Sequence, residues 1–164
     1  MKSKLFYLLT IPIFCLAFLS CSNDDEESYT EWRKENEAYI EGIKTNPNYF
    51  EVSIKGGPGS VYCKKMKLLD GIGRHPIYTE QVNIRYKGKL INGTVFEDSS
   101  ERTATFTVGD LAKGFAVALQ NMRAGDKWEV NIPWELGYGI SGKNPVPPYS
   151  ALIFELELIS ISER

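Results

Sequence analysis

Beyond residue 50, apolar and polar residues mostly alternate along the chain, and before it the pattern is helical. Within residues 28–44, SYTEWRKENEAYIEGIK, Trp32, Tyr39, Ile40 and Ile43 fall on one side at roughly helical spacing, among Glu and Lys. Ser28 is placed to cap this helix, with Glu31 three residues on in the capping-box position, and TNPN ends it. The helix reads as an extension laid on the main domain or as a spacer from a membrane. From Tyr49 the period becomes two. YFEVSI alternates, GGPGS turns the chain, and VYCKKMKLLDG is a second strand-like run. In EQVNIRYKGKL, Val82, Ile84 and Tyr86 alternate with polar neighbours, as in a half-buried strand. Asn92-Gly93 is a hairpin turn signal, after which TVFEDSS starts the returning strand and RTATFTVG continues it.

The period changes once more in DLAKGFAVALQNM. Leu111, Phe115, Leu119 and Met122 mark one face of a helix of about three turns, with Asp110 as its cap. KWEVNIP is then a strand. The loop WELGYGISGKNPVPPYS follows, crowded with glycine and proline around Tyr138, and ALIFELELISI is the last strand. These elements predict an α+β fold: an antiparallel sheet of five to six strands wrapped around one short helix, with a helical extension in front.

The first residues have a different pattern. Lys2 and Lys4 precede an almost unbroken apolar run from Leu5 to Leu19, too short for a comfortable membrane span and laid out as a secretory signal. It ends in FLSC. Cys21 after small Ser20 resembles the lipobox of bacterial lipoproteins, although Leu19 stands where a small residue is usual. The other reading is a plain secretory signal cut nearby, with Cys21 left as a free thiol. The acidic run SNDDEES then reads as a solvated tether, and it resembles the export signal of Bacteroidetes surface lipoproteins. The chain thus divides into 1–21, a lipoprotein signal ending at Cys21; 22–58, an acidic tether and helical extension; and 59–164, the main domain. Localisation follows as the cell envelope, through a lipid anchor in the outer membrane, periplasmic or surface-exposed.

Composition narrows the function. Apolar content of 43% and charged content of 24% are those of a soluble globular protein. Net charge is −2, becoming −4 once Lys2 and Lys4 leave with the signal, and no basic block argues for nucleic acid. Cleavage removes Cys15, and lipidation commits Cys21, so Cys63 has no internal partner. His75, the only histidine, has no metal-ligand cluster and no Gly-x-Ser-x-Gly to serve. GIGRHP lacks the third glycine of a dinucleotide loop, and GGPGS lacks the Lys-Ser/Thr of a phosphate loop. The sequon-like Asn92-Gly93-Thr94 is explained by its turn. No metal and no cofactor are expected. What remains is a set of aromatic residues at element ends: Tyr86, Phe96, Phe115, Tyr138 and Phe154.

From about Val61 to Ile161 the chain resembles the FK506-binding family of peptidyl-prolyl cis–trans isomerases. The motifs VNIRYKGKLINGTVFEDSS, GFAVALQNMRAGDKWEVNIP, LGYGISG and PPYSALIFELELI come in the family's order. The resemblance implies an apolar pocket for a prolyl peptide between helix and sheet. It implies that Phe115 forms the pocket floor, and that Phe96, Leu111, Val146 and Phe154 help enclose the ring. The Ala112 N–H and the Tyr138 hydroxyl would hold substrate carbonyls, with Tyr86 and a carboxylate at the polar edge. That carboxylate is Asp98 by its place before the serine pair, or Glu97 by adjacency to Phe96; the serine pair favours Asp98. FEDSS is one residue longer than the family's FDSS, and Ala104 and Ala112 replace larger pocket residues. The implied partners are proline-containing polypeptides, macrolides of the FK506 type and a membrane. A binding module or chaperone without turnover, and a scaffold within a larger surface assembly, are the readings from other classes.

Overall fold

The protein is described from a computed structural model covering residues 23–53, 59–67 and 70–162, with side chains from Tyr29 onward. The signal segment and Cys21 lie outside the described residues. Seven strands form one antiparallel sheet: β1 (Phe50–Ser53), β2 (Ser60–Lys65), β3 (Gln81–Lys89), β4 (Val95–Asp98), β5 (Ala104–Thr107), β6 (Lys127–Ile132) and β7 (Leu152–Ile161). Their order is β1-β2-β6-β7-β3-β4, and β5 also pairs with β3. The predicted α+β architecture is therefore observed, with more strands than expected. β1 draws the sheet back to Phe50, inside the stretch assigned to the extension.

β3 and β7 are the spine. They pair from Val82 opposite Ile161 to Lys89 opposite Ile153. Along β3, Val82, Ile84 and Tyr86 turn inward and are buried. β4 and β5 lie end to end on the other edge of β3, because Ser99–Thr103 leaves the ladder between them. Across the buried face lies α2 (Lys113–Leu119), with Phe115, Ala118 and Leu119 in the core.

This helix is shorter than its periodicity predicts. Val108–Asp110 wind into a 3-10 turn and Leu111 is extended (φ −86°, ψ 164°), so Ala112, not Asp110, is the residue before the helix. Met122 is fully buried, but in the turn after α2 rather than on it.

The N-terminal helix, α1 (Asn23–Lys44), begins within the acidic run, so Ser28 is interior to it and not its cap. A first turn rich in Asp and Glu suits the positive end of a helix dipole, which moves the start forward. α1 lies on the domain. Ile40 and Ile43 are buried, Asn36 is completely buried, and the Tyr39 hydroxyl donates to Asn131 Oδ1 (2.6 Å). No described helix is long and apolar enough to cross a membrane. Cys63 is buried and free, and loss of water pushes its thiol up to about 12.

Candidate functional site

The sheet face that β3 and β7 turn toward α2 is apolar, and α2 does not cover all of it. The uncovered part is a cavity of about 220 Å³ lined by Ile84, Tyr86, Glu97, Phe106, Asp110, Leu111, Ala112, Phe115, Tyr138, Lys143 and Phe154. That is room for roughly seven waters at ~30 Å³ each. Two larger grooves, about 580 and 690 Å³, flank α2 and α1. Neither brings aromatic rings together in this way, and their linings include Ser53 or Gly59 and Ser60, next to the undescribed residues 54–58.

Edge-to-face contacts fix the cavity floor. The Phe115 ring meets Phe154 at 4.8 Å and 88°, and Tyr86 at 5.8 Å and 82°. Phe106 stands 6.0 Å from Tyr86 at 67°. Such geometry sets the positive edge of one ring against the negative face of the next. Phe96 backs the floor rather than lining it, with its ring 5.5 Å from Phe154. Gly88 makes this possible: a Cβ there would lie 2.6 Å from Phe96 Cζ and 2.7 Å from Phe154 Cε1.

The polar edge corrects the sequence reading. Glu97, not Asp98, reaches into the cavity, where its Oε1 accepts the Tyr86 hydroxyl proton at 2.5 Å. The cause is a β-bulge. Glu97 pairs with Gly88 but Val95 pairs with Lys89, so Phe96 is an extra residue on β4. A bulge breaks the alternation of side chains, which lets neighbouring Phe96 and Glu97 both address the cavity side. Asp98 then falls outward. It accepts from the Ser100 amide (3.0 Å) and hydroxyl (2.6 Å) and pairs with Lys87 (3.0 Å). Those hydrogen bonds, with Lys87, hold its carboxyl down at about 2. Burial, and then the bond to Glu97, push the Tyr86 hydroxyl up to about 12.

Leu111 and Ala112 line the cavity from the start of α2. Among the described residues, the Ala112 N–H has no backbone acceptor. Tyr138 hangs from the loop between β6 and β7. Gly139 after it takes φ +65°, a left-handed conformation that glycine adopts without strain. The Tyr138 ring is half-buried, with Lys143 Nζ 5.2 Å from its centre. Burial, and then the nearby charge of Glu97, raise the pKa of its hydroxyl.

Val146 is buried beneath the loop, 4% exposed, and does not line the cavity. Its amide and carbonyl close a turn with Lys143 around the cis Asn144–Pro145 peptide. Four lining residues are not assigned to the site by the sequence reading: Ile84, Phe106, Asp110 and Lys143. Phe106 was legible in principle: it is paired with Val82 and lies two residues past Ala104, opposite Ile84. Among the described residues no cluster of His, Cys, Asp or Glu could hold a metal ion.

Residues 73–159 match the family of FKBP-type peptidyl-prolyl cis-trans isomerases. The chain is similar to the macrophage infectivity potentiator of Trypanosoma cruzi, at 36% identity over 92% of this chain and 82% of that protein. It is also similar to the outer membrane protein MIP of Legionella longbeachae, at 39% identity over 73% of this chain and 54% of that one. Several curated relatives are matched over only about half their length or less. Among solved structures, a peptidyl-prolyl cis-trans isomerase of Pseudomonas syringae pv. tomato superposes with a TM-score of 0.71 and 30% identity, over 82% of this chain and 96% of that one.

Proposed function

Because the chain belongs to the FKBP-type peptidyl-prolyl cis-trans isomerases, we propose that its cavity isomerises X–Pro bonds of exported or surface polypeptides. Rotation about a peptide bond faces a barrier of ~18–20 kcal/mol, because the C–N bond is partly double. No nucleophile is needed to lower it. The twisted amide has lost its resonance and part of its carbonyl dipole. An apolar site therefore penalises it less than the planar forms, and each ~1.4 kcal/mol of such preference is tenfold in rate.

The positions of the side chains support the following roles. Phe115, Phe154, Phe106 and Leu111 enclose the prolyl ring, and Phe96 and Val146 support them from behind. The Ala112 N–H and the Tyr138 hydroxyl hold substrate carbonyls. The Tyr86–Glu97 pair forms the polar edge, and its hydrogen bond fixes where the carboxylate sits. The observation that carries this reading is the convergence of these rings on one cavity that also receives Tyr138 from the loop. A macrolide of the FK506 type should compete for the same rings.

An isomerase assay on residues 22–164 with a proline-containing peptide tests the reading. Acceleration that an FK506-type macrolide inhibits is the expected result. No acceleration by folded protein would overturn it, and peptide binding without turnover would leave a module that holds proline segments. We further propose that Cys21 carries lipid and anchors the domain in the cell envelope. The signal-like pattern of residues 1–21 supports this, as does the outer-membrane name of the Legionella relative. Cys21→Ser should release the protein from the membrane fraction.

A further inference from the structure

We propose that α1 is a clamp on the catalytic loop, with Trp32, Arg33 and Asn36 as positioning residues for Tyr138. This rests on the reading of Tyr138 as a substrate-holding hydroxyl.

Three consecutive residues at the end of the loop are each held by a different residue of α1. The Arg33 guanidinium lies over the Tyr149 ring at 5.2 Å and over Trp134, at the start of the same loop, at 5.3 Å. Trp32 Nε1 donates to Ser150 Oγ (3.0 Å), and that hydroxyl donates onward to the Pro147 carbonyl (2.8 Å). The Ala151 amide donates to Asn36 Oδ1 (2.8 Å). Asn36 is completely buried, and its own amide is held by the Trp32 carbonyl (2.7 Å). Both legs of the loop are thus tied to one helix face. The Trp134 and Tyr149 rings, 5.2 Å apart at 75°, tie the legs to each other.

The connection reaches the tyrosine through the backbone. The Tyr149 amide donates to the Gly139 carbonyl (3.0 Å), and the Gly139 amide donates to the Trp134 carbonyl (2.9 Å). Gly139 is the residue after Tyr138. Tyr149 itself has φ +58°, the one non-glycine residue with positive φ among the described residues. A bulky side chain holds that conformation only where its surroundings over-determine it, and such residues gather at functional sites. Here the surroundings are Arg33, Trp134 and the flanking bonds from Trp32 and Asn36. The helix in front of the domain therefore completes the site without touching substrate.

Trp32→Phe removes the bond to Ser150 and keeps an aromatic ring, and Ser150→Ala removes the same bond from the loop side together with the bond to Pro147. In the intact protein, either change should speed amide exchange at Gly139 and Tyr149 by on the order of tenfold. Exchange in β3 and β7 should be unchanged. Turnover should fall by up to about tenfold in kcat with little change in KM, as misplacing one catalytic group does. In a Tyr138→Phe background the same changes should cost no further turnover, because the group being positioned is already gone. An equal loss in both backgrounds, or loop exchange that stays at the wild-type rate, overturns the clamp. If Trp32→Phe also raises exchange in β3 and β7, Ser150→Ala decides. If the wild-type protein has no isomerase activity, the proposed function falls and the exchange measurement alone decides the clamp.

Discussion

The two rims of the cavity are built on opposite principles. The strand rim, Tyr86 to Asp98 with Phe154 of β7 beside it, is part of the sheet: β3 is bonded across to β7 and to β4, and the Tyr86 and Phe154 rings are packed in the core. The loop rim, Trp134 to Ser150, has no strand of its own and is fastened from outside by α1. On the strand rim the aromatic side chains make both the fold and the site, so truncating one of them costs both. On the loop rim Tyr138 is only half-buried, so site and fold can be separated.

Phe154→Ala is the largest way to test that contrast. Phe154 is 3% exposed and meets Phe115 at 4.8 Å, Phe96 at 5.5 Å and Tyr86 at 6.2 Å. Removing its ring should destabilise the domain by ~3–5 kcal/mol, measured by denaturant unfolding, and abolish turnover with it. A stable variant that merely binds peptide less well would mean the strand rim is not bound into the core as its contacts imply.

Tyr138→Phe probes the other rim and should do the reverse. The ring stays, with Lys143 over it, and only the hydroxyl is lost. Unfolding free energy should move by no more than ~0.5 kcal/mol. Isomerase activity should fall about tenfold, the value of one hydrogen bond of ~1–1.5 kcal/mol made in the transition state. A clear drop in thermal midpoint with unaltered kinetics would return Tyr138 to packing and erase the difference between the rims.

The same contrast explains what could be read from sequence. β3 was legible because one face of it is buried, so Val82, Ile84 and Tyr86 alternate without exception. Phe115 and Phe154, which the resemblance implies for the pocket, line the cavity. Alternation fails wherever the backbone departs from regularity. The bulge at Phe96 exchanged the roles of Glu97 and Asp98, since one extra residue reverses every side chain after it. The 3-10 turn at Val108–Asp110 moved the start of α2. Val146 sits before two prolines in sequence, yet the turn it makes with Lys143 directs it beneath the loop. Asn36 was invisible for a different reason. A polar residue on a helix is ordinarily solvated, and only the position of the Ala151 amide makes this one buried and bonded.

The smallest effect is the one that separates the two neighbouring carboxylates. Glu97→Gln should lower turnover a few-fold, because Tyr86 then loses its charged partner; hydrogen bonds to charge are worth ~1.5–3 kcal/mol against about 1 for neutral ones. Asp98→Asn should leave turnover unaltered and act on stability alone, since its bonds are to Ser100 and Lys87. The pH dependence follows from the sign of the shift. Asp98 has a folded value of about 2, below the unfolded value of ~3.9. Its charge therefore stabilises the fold above pH ~4, and the benefit is lost as pH falls through about 2. The unfolding midpoints of wild type and Asp98→Asn should differ slightly at pH 6, converge between pH ~4 and 2, and coincide below that. Because the pair with Lys87 is exposed to water, part of the difference at pH 6 should disappear in high salt. A difference that persists below pH ~2 would trace to side-chain shape rather than charge. A loss of turnover in Asp98→Asn equal to that in Glu97→Gln would restore Asp98 to the cavity and remove the bulge from the account of the strand rim.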